Sequence, residues 1–222
     1  MRFLFFAFVI LCFQCSKTEL NNPKDFESDS FRENETLLCL TGQSSFCQAA
    51  IPVCTTCRFF STSITYNGNR GGISGADAKC MSDSKKPTEP ARAVFKAFLV
   101  DDVNRIACTT NNCVGGISEH VDWILKPNTN YVRAVDGGSF AITNSAGIFT
   151  SQLQHAENPT IVTSILTGLD TSGWDTRSGQ HCNRWTDGTG TGNAGVASSS
   201  VSIFSSTLGN CNDSSVIFCV EQ

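Results

Sequence analysis

Charge is scarce in this chain. Asp, Glu, Lys and Arg make up only 16% of its 222 residues, against about a quarter in ordinary soluble domains. Sixteen Lys and Arg face twenty acidic residues, for a formal charge of −4, and that balance excludes a broadly basic nucleic-acid binder. Histidine is rarer still. His120 sits in Glu119-His120-Val121-Asp122, but no second His follows at i+4, and His155 and His181 lie far off in sequence; a helix-borne zinc pair is therefore not expected. There is no G-x-S-x-G elbow for a serine nucleophile. The glycine-rich run Gly188-Thr189-Gly190-Thr191-Gly192 lacks the following Lys and the strand–turn–helix frame of a phosphate loop. No apolar stretch is long enough to span a bilayer and stay there, and no internal repeat is present. Hydroxyls, amides and turn formers fill the space instead: 25 Ser, 22 Thr, 18 Gly and 16 Asn, a composition suited to loops. Twelve Cys complete the picture.

The first residues set the compartment. Arg2 precedes an unbroken apolar stretch over residues 3–13, the length of a signal hydrophobic region. It ends in Leu11-Cys12-Phe13-Gln14-Cys15 and turns polar at Ser16-Lys17. A hydrophobic leader ending at Cys resembles a bacterial lipoprotein signal, in which that Cys is acylated after cleavage. Cys15 is the expected anchor and Cys12 the runner-up; a plain secretory signal cut after Cys15 is the alternative. Either route exports the protein. Residues 15–36 read as a tether, because between Thr18 and Thr36 only Leu20, Phe26 and Phe31 are large and apolar, too few to offset chain entropy. The expected organisation is a leader over 1–14, the tether, a Cys-rich extension over 37–57, and one domain over 58–222.

Setting Cys12 and Cys15 aside leaves ten cysteines, Cys39, Cys47, Cys54, Cys57, Cys80, Cys108, Cys113, Cys182, Cys211 and Cys219. In an exported chain this allows up to five disulfides, with pairing undetermined by sequence. Cys108 and Cys113 flank the polar loop Thr109-Thr110-Asn111-Asn112, where a local bridge fits if the Cα atoms approach to about 6 Å. Cys54-Thr55-Thr56-Cys57 has C-x-x-C spacing. A redox reading lacks its βαβ context and a zinc reading lacks a second close pair, so an ordinary bridged extension is expected.

Beyond Arg58 the pattern is strands and turns. Residues 59–66 are aromatic and β-branched, and Asn67-Gly68-Asn69-Arg70-Gly71-Gly72 is a strong turn. Ser74 is placed to cap a helix whose Ala76, Cys80 and Met81 share one face, and which ends before Pro87 and Pro90. Residues 93–100 read as a buried strand, 118–125 as a short helix or strand, and 131–135 with 139–143 as a hairpin about Asp136-Gly137-Gly138. Residues 215–220 form a compact terminal strand. The fold class expected is α+β, β-rich and loop-heavy.

Three segments carry a family resemblance. Gly75-Ala76-Asp77-Ala78-Lys79-Cys80 followed by Val94-Phe95-Lys96-Ala97-Phe98-Leu99, then Cys182-Asn183-Arg184-Trp185, and finally Cys211 with Ile217-Phe218-Cys219-Val220-Glu221 resemble endostatin, which has a C-type-lectin-like fold. The leader, the Tyr66-Asn67-Gly68-Asn69-Arg70-Gly71-Gly72 turn and residues 115–131 are similar to the leptospiral endostatin-like lipoproteins. The resemblance implies a nested pairing, Cys80 with Cys219 enclosing Cys182 with Cys211. It also implies adhesion to host laminin and fibronectin and capture of factor H or plasminogen from the outer-membrane surface; a structural outer-membrane lipoprotein without a specific ligand is the alternative. The zinc of animal endostatins does not carry over, since its His-rich N-terminal stretch is missing here.

Calcium-dependent sugar binding, open to the fold class, needs clustered carboxylates and carbonyls. Lys126-Pro127-Asn128 and Trp185-Thr186-Asp187 place a cation and a hydroxyl where such ligands belong. No cofactor, metal site or catalytic residue is therefore expected. The basic residues are more suggestive. Lys79, Lys85, Lys86, Arg92 and Lys96 face only Asp83 and Glu89 in that stretch, whereas from Asp136 onward Arg177 and Arg184 face seven carboxylates. A basic lobe of this kind suits heparan sulfate or acidic host proteins; otherwise these side chains are a solvated face. Trp123, Trp174 and Trp185 are expected in the core.

Overall fold

A computed structural model of the full chain describes residues 28–40, 53–150, 153–156, 164–170, 174–176, 179–196, 198–200, 204 and 207–222. Cys12, Cys15 and Cys47 lie outside them. The chain divides into two compact units, Met1–Ile51 and Pro52–Gln222. In the first, α1 (Asp29–Leu40) occupies part of the stretch read as a tether. Ser28 explains its start: the hydroxyl accepts from the Phe31 amide at 3.2 Å, and Asp29 adds a favourable charge to the first turn. Among the described residues no helix is long and apolar enough to cross a membrane.

The second unit is built on a five-stranded sheet ordered β2-β10-β1-β3-β4. Its strands are β1 (Thr56–Ser61), β2 (Phe95–Ala97), β3 (Asn130–Arg133), β4 (Ser139–Ile142) and β10 (Phe218–Glu221). Only β1 and β3 run parallel; the terminal strand β10 lies antiparallel between β1 and β2. A second sheet joins β5 (Ser164–Leu166), β8 (Thr191–Val196) and β9 (Thr207–Asn210), and a small ribbon pairs β6 (Leu169–Asp170) with β7 (Asp175–Thr176).

Strand alternation explains why there are two cores. Successive side chains of a strand point to opposite faces, so adjacent aromatics in β1 are divided between them. Phe59 stacks on Phe140 at 4.8 Å and meets Tyr131 edge-on at 5.4 Å. It belongs with Phe98, Phe149, Trp174, Phe204 and Phe218. Phe60 meets Phe95 at 5.2 Å on the other face, with Ile73, Ala76, Cys80, Trp185 and Ile217. The C-terminal segment divides in the same way, Phe218 and Val220 of β10 against Cys219 and the preceding Ile217. The fold is α+β, β-rich and stapled by disulfides.

α2 (Gly72–Ser82) rests on the second core through Ile73, Ala76 and Cys80. Its cap differs from the sequence reading. Ser74 falls inside the first turn, and Gly71, at φ 80°, stands at the N-cap with no side chain to donate or accept. Met81 is exposed, its sulfur accepting from the Phe95 amide at 3.1 Å. The stretch 93–100 is buried throughout except for Val94 and Lys96, but only its centre pairs as β2. The segment 118–125 is neither a full helix nor a strand: a 3-10 turn (Gly116–Glu119) leads into an isolated pairing of Val121 with Ile106.

Among the described residues four bridges are formed: Cys54–Cys57, Cys80–Cys219, Cys108–Cys113 and Cys182–Cys211. Cys80–Cys219 ties α2 to β10, and Cys182–Cys211 nests inside it in sequence.

Candidate functional site

A cleft of about 600 Å³ opens where three parts of the second unit meet. The first turn of α2 gives Gly72, Ile73, Ser74 and Asp77; the loop after β2 and its partner segment give Asn104 and Asp122; the segment before β8 gives Asn183, Arg184 and Thr186.

Local chemistry shapes each wall. Asp101 is fully buried and folds the loop around itself, accepting from the amides of Val103 (2.9 Å), Asn104 (2.5 Å) and Arg105 (3.1 Å) and from Asn104 Nδ2 (2.8 Å). Burial would raise its pKa, but these donors outweigh it and hold the carboxyl below its ordinary value. The loop delivers Arg105 to the interior, with its side chain 0% exposed. The guanidinium donates to both oxygens of Asp77 (3.0 and 2.7 Å), to Asp122 Oδ2 (2.5 Å), and to the carbonyls of Ala97 (2.8 Å) and Asp122 (3.0 Å). Burial opposes its charge, yet the two carboxylates raise its pKa. Lys96 completes the group by pairing with Asp122. Burial and these cations act oppositely on Asp122, and the cations prevail, lowering its pKa.

The last wall is backbone in an unusual state. Cys182, Asn183, Arg184 and Trp185 all have positive φ, at 50°, 48°, 55° and 64°, a left-handed turn of non-glycine residues that costs roughly 1–2 kcal/mol each. Tertiary contacts impose it. Cys182 is bridged to Cys211. Trp185 Nε1 donates to Val100 O at 2.9 Å. The Arg184 amide donates to His181 Nδ1 at 2.9 Å, and the Arg70 amide donates to Trp185 O at 2.9 Å. The Arg184 side chain pairs with Asp102 at 2.6 Å, and His181 Nε2 stands 3.7 Å from the same carboxylate. Gly68, in the turn before α2, approaches so closely that a Cβ there would lie 2.6 Å from Cys182 Sγ.

The chain's sequence matches the family described as "Protein of unknown function (DUF1554)" over residues 63–203, more than half of its length. It belongs to that family. Comparison with curated proteins gives no match. The DUF1554 region contains all of the cleft's walls and the Cys108–Cys113 loop. It stops short of β9 and β10, and so of Cys211 and Cys219.

Within the DUF1554 region the predicted basic residues serve different ends. Lys79 donates to Arg70 O at 2.9 Å and lies over the Tyr66 ring. Lys96 belongs to the Arg105 group. Lys86 sits over Phe95 at 5.9 Å, whereas Lys85 and Arg92 are exposed. The tryptophans are structural: Trp185 and Trp174 are buried, and half-buried Trp123 donates to Gly147 O at 2.8 Å. His120 lies between the carbonyl oxygens of Ala107 and Ala146. Among the described residues no three His, Cys, Asp or Glu side chains converge on a metal-sized site.

One surface feature of the DUF1554 region gave no sequence signal beyond its two cysteines. The loop closed by Cys108–Cys113, Cα atoms 4.8 Å apart, is held from inside by Glu119. Its carboxylate accepts from the amides of Thr109 and Thr110 (both 2.7 Å) and Gly115 (2.5 Å), and from the Thr110 hydroxyl at 2.6 Å. The Thr110 side chain and these amides push the Glu119 pKa down to about 2. With its backbone thus fixed, the loop and the 3-10 turn that follows it present Val114 and Ile117 to solvent, 85% and 58% exposed, and Glu119 is the only charged residue between 106 and 121.

Proposed function

We propose that the chain is an exported, lipid-anchored binding protein of the cell surface, an outer-membrane lipoprotein related to the leptospiral endostatin-like family. On this reading the domain has the C-type-lectin-like fold of endostatin and works as an adhesin without enzymatic activity. Its partners are host matrix proteins such as laminin and fibronectin, the complement regulator factor H, and plasminogen, with heparan sulfate met by the basic lobe of Lys79, Lys85, Lys86, Arg92 and Lys96.

The observation that carries the reading is the stapled scaffold with a preset contact loop. The nested pairing implied by the endostatin resemblance is the pairing present, and it encloses a loop whose two exposed apolar side chains are already ordered. Ordering before contact spares the entropy that binding otherwise costs, and a few buried apolar anchors carry most of an interface's energy.

The test is direct binding of the purified chain, without its leader, to immobilised laminin, fibronectin and factor H. Saturable binding is expected, weakened about tenfold or more by Val114→Asp with Ile117→Asp. Absence of saturable binding to all three, with the bridges intact, rejects the adhesin reading. Protease shaving of intact cells tests its placement, because a periplasm-facing lipoprotein would be spared.

Carbohydrate binding is the second reading, favoured by the cleft. Its charges are already paired, while the exposed side chains of Ser74 and Asn183 have no hydrogen-bond partner among the described residues. An uncharged, hydroxyl-bearing ligand could bond to both. Glycan-array binding that survives EDTA supports it, and a blank array removes it.

A further inference from the structure

The C-x-x-C pair has an asymmetry that its spacing alone did not reveal. Cys57 is fully buried. Cys54 is half-buried, and its neighbours Val53 (73% exposed), Thr55 and Thr56 lie at the surface. Solvent and other molecules therefore reach the bridge from the Cys54 side. The ammonium of Lys126 stands 3.4 Å from Cys54 Sγ.

That ammonium is positioned by the fold. The Lys126 amide donates to Tyr131 Oη at 2.7 Å, and its carbonyl accepts from the Thr143 hydroxyl at 2.6 Å. Glu221, the nearest carboxylate of the adjoining strand, is engaged by Arg58 through two side-chain bonds of 2.7 and 2.6 Å and an amide bond of 3.1 Å. The groups facing Cys54 are thus Lys126, the Glu221–Arg58 pair behind it, the Glu221 carbonyl oxygen 3.5 Å from Cys54 Sγ, the Gln222 main-chain oxygen that accepts from the Cys54 amide at 3.4 Å, and the neutral phenol of Tyr131, whose pKa burial raises to about 12. Burial also lowers the pKa of Lys126, against an opposing pull from Glu221.

The bridge contributes little to holding the fold. It closes a separation of 3 residues, against 139 for Cys80–Cys219, and loop-closure stabilisation grows with the length enclosed. Opening it leaves β1 hydrogen-bonded to β10 and β3 on either side.

We propose that Cys54–Cys57 is a redox-active disulfide that accepts two electrons from a dithiol, with Lys126 stabilising the Cys54 thiolate. A thiolate of the dithiol attacks Cys54 Sγ. A sulfur–sulfur bond forms to it, the Cys54–Cys57 bond breaks, and the electron pair leaves on Cys57, which takes a proton. The dithiol's second thiolate then attacks its own sulfur in the mixed disulfide and expels Cys54 as a thiolate facing the Lys126 ammonium. In sum the dithiol becomes a disulfide and the protein bridge becomes two thiols. A cation beside the sulfur lowers the thiol's pKa and makes it a better leaving group. The inference is independent of the adhesin reading.

The experiment equilibrates the full chain in buffers of graded reduced-to-oxidised dithiothreitol, alkylates free thiols, and maps them by mass spectrometry. Cys54 and Cys57 are expected to be labelled at ratios that leave Cys80, Cys182, Cys211 and Cys219 unlabelled. In the reduced pair, Cys54 alkylation is expected to titrate below the ordinary thiol value of about 8.5. Lys126→Met should slow alkylation near pH 7 about tenfold and move the midpoint up, and Lys126→Arg should restore both. Reduction of Cys54–Cys57 only together with the long bridges overturns the proposal. So does a Cys54 titration at the ordinary value in the unaltered protein, a measurement that needs no variant to fold.

Discussion

Among the described residues two arginines are fully buried, and they meet the cost of burial in opposite ways. Arg105 faces two carboxylates, whereas the Arg70 guanidinium donates, among the described residues, to the Asn67 and Leu166 carbonyls and the Ser215 hydroxyl, and lies 4.9 Å over the Trp185 ring. Without a carboxylate, burial pushes the Arg70 pKa down to about 9. Removing Arg105 takes the counter-charge from Asp77, leaves Asp122 with Lys96 alone, and unties the loop that lines the cleft. Arg105→Met is therefore expected to cost about 3 kcal/mol in denaturant unfolding. Gly68 makes a simpler prediction. A methyl there meets Cys182 Sγ at 2.6 Å and Asp187 O at 2.8 Å, neither of which can swing away, so Gly68→Ala should cost about 2 kcal/mol and lower the midpoint of thermal unfolding. Both arginines and this glycine looked ordinary in sequence, where long-range partners do not show.

Among the elements, the Cys108–Cys113 loop depends most on one side chain. Glu119→Gln removes the charge but keeps the shape, and the amides of Thr109, Thr110 and Gly115 should then exchange faster with deuterium. The pH dependence has a definite sign. The folded pKa of Glu119 lies below its ordinary 4.5, at about 2, so its stabilisation is complete above about pH 4.5 and is lost as pH falls toward 2. Loop resonances followed by NMR should shift across that window and stay constant above it. Elements with local signals were legible. Asp136-Gly137-Gly138 marks the hairpin of β3 and β4, and of the α2 face read from helical spacing Ala76 and Cys80 are buried, whereas Met81 is exposed. The Cys182–Trp185 turn was not legible, because only Asn among its four residues tolerates left-handed backbone readily. Its conformation comes from a disulfide and bonds to Val100, His181 and Arg70.

At the scale of the whole molecule, the two nested bridges differ in what they enclose. Cys80–Cys219 spans 139 residues and Cys182–Cys211 spans 29. Chain entropy assigns them about 5 and about 3.6 kcal/mol respectively. The double variant Cys80→Ala with Cys219→Ala should therefore lose more stability in urea than Cys182→Ala with Cys211→Ala. The second variant should instead release the left-handed turn and alter the cleft, seen as changed resonances at Asn183 and Thr186. Equal losses would show that the unfolded chain is constrained by something other than these loops.

By itself the sequence determined the low-charge, cysteine-rich character of the protein, the division of adjacent aromatics between two faces, the hairpin and the buried face of α2. These are properties of composition and of periods two and 3.6, which neighbours in the chain express without help. Tertiary structure decided which charges meet. It drew Lys96 and Arg105 onto Asp77 and Asp122, forced four residues into left-handed backbone, and set Lys126 beside Cys54. Each of these joins residues far apart in the chain, and their energies exist only after the two cores have closed.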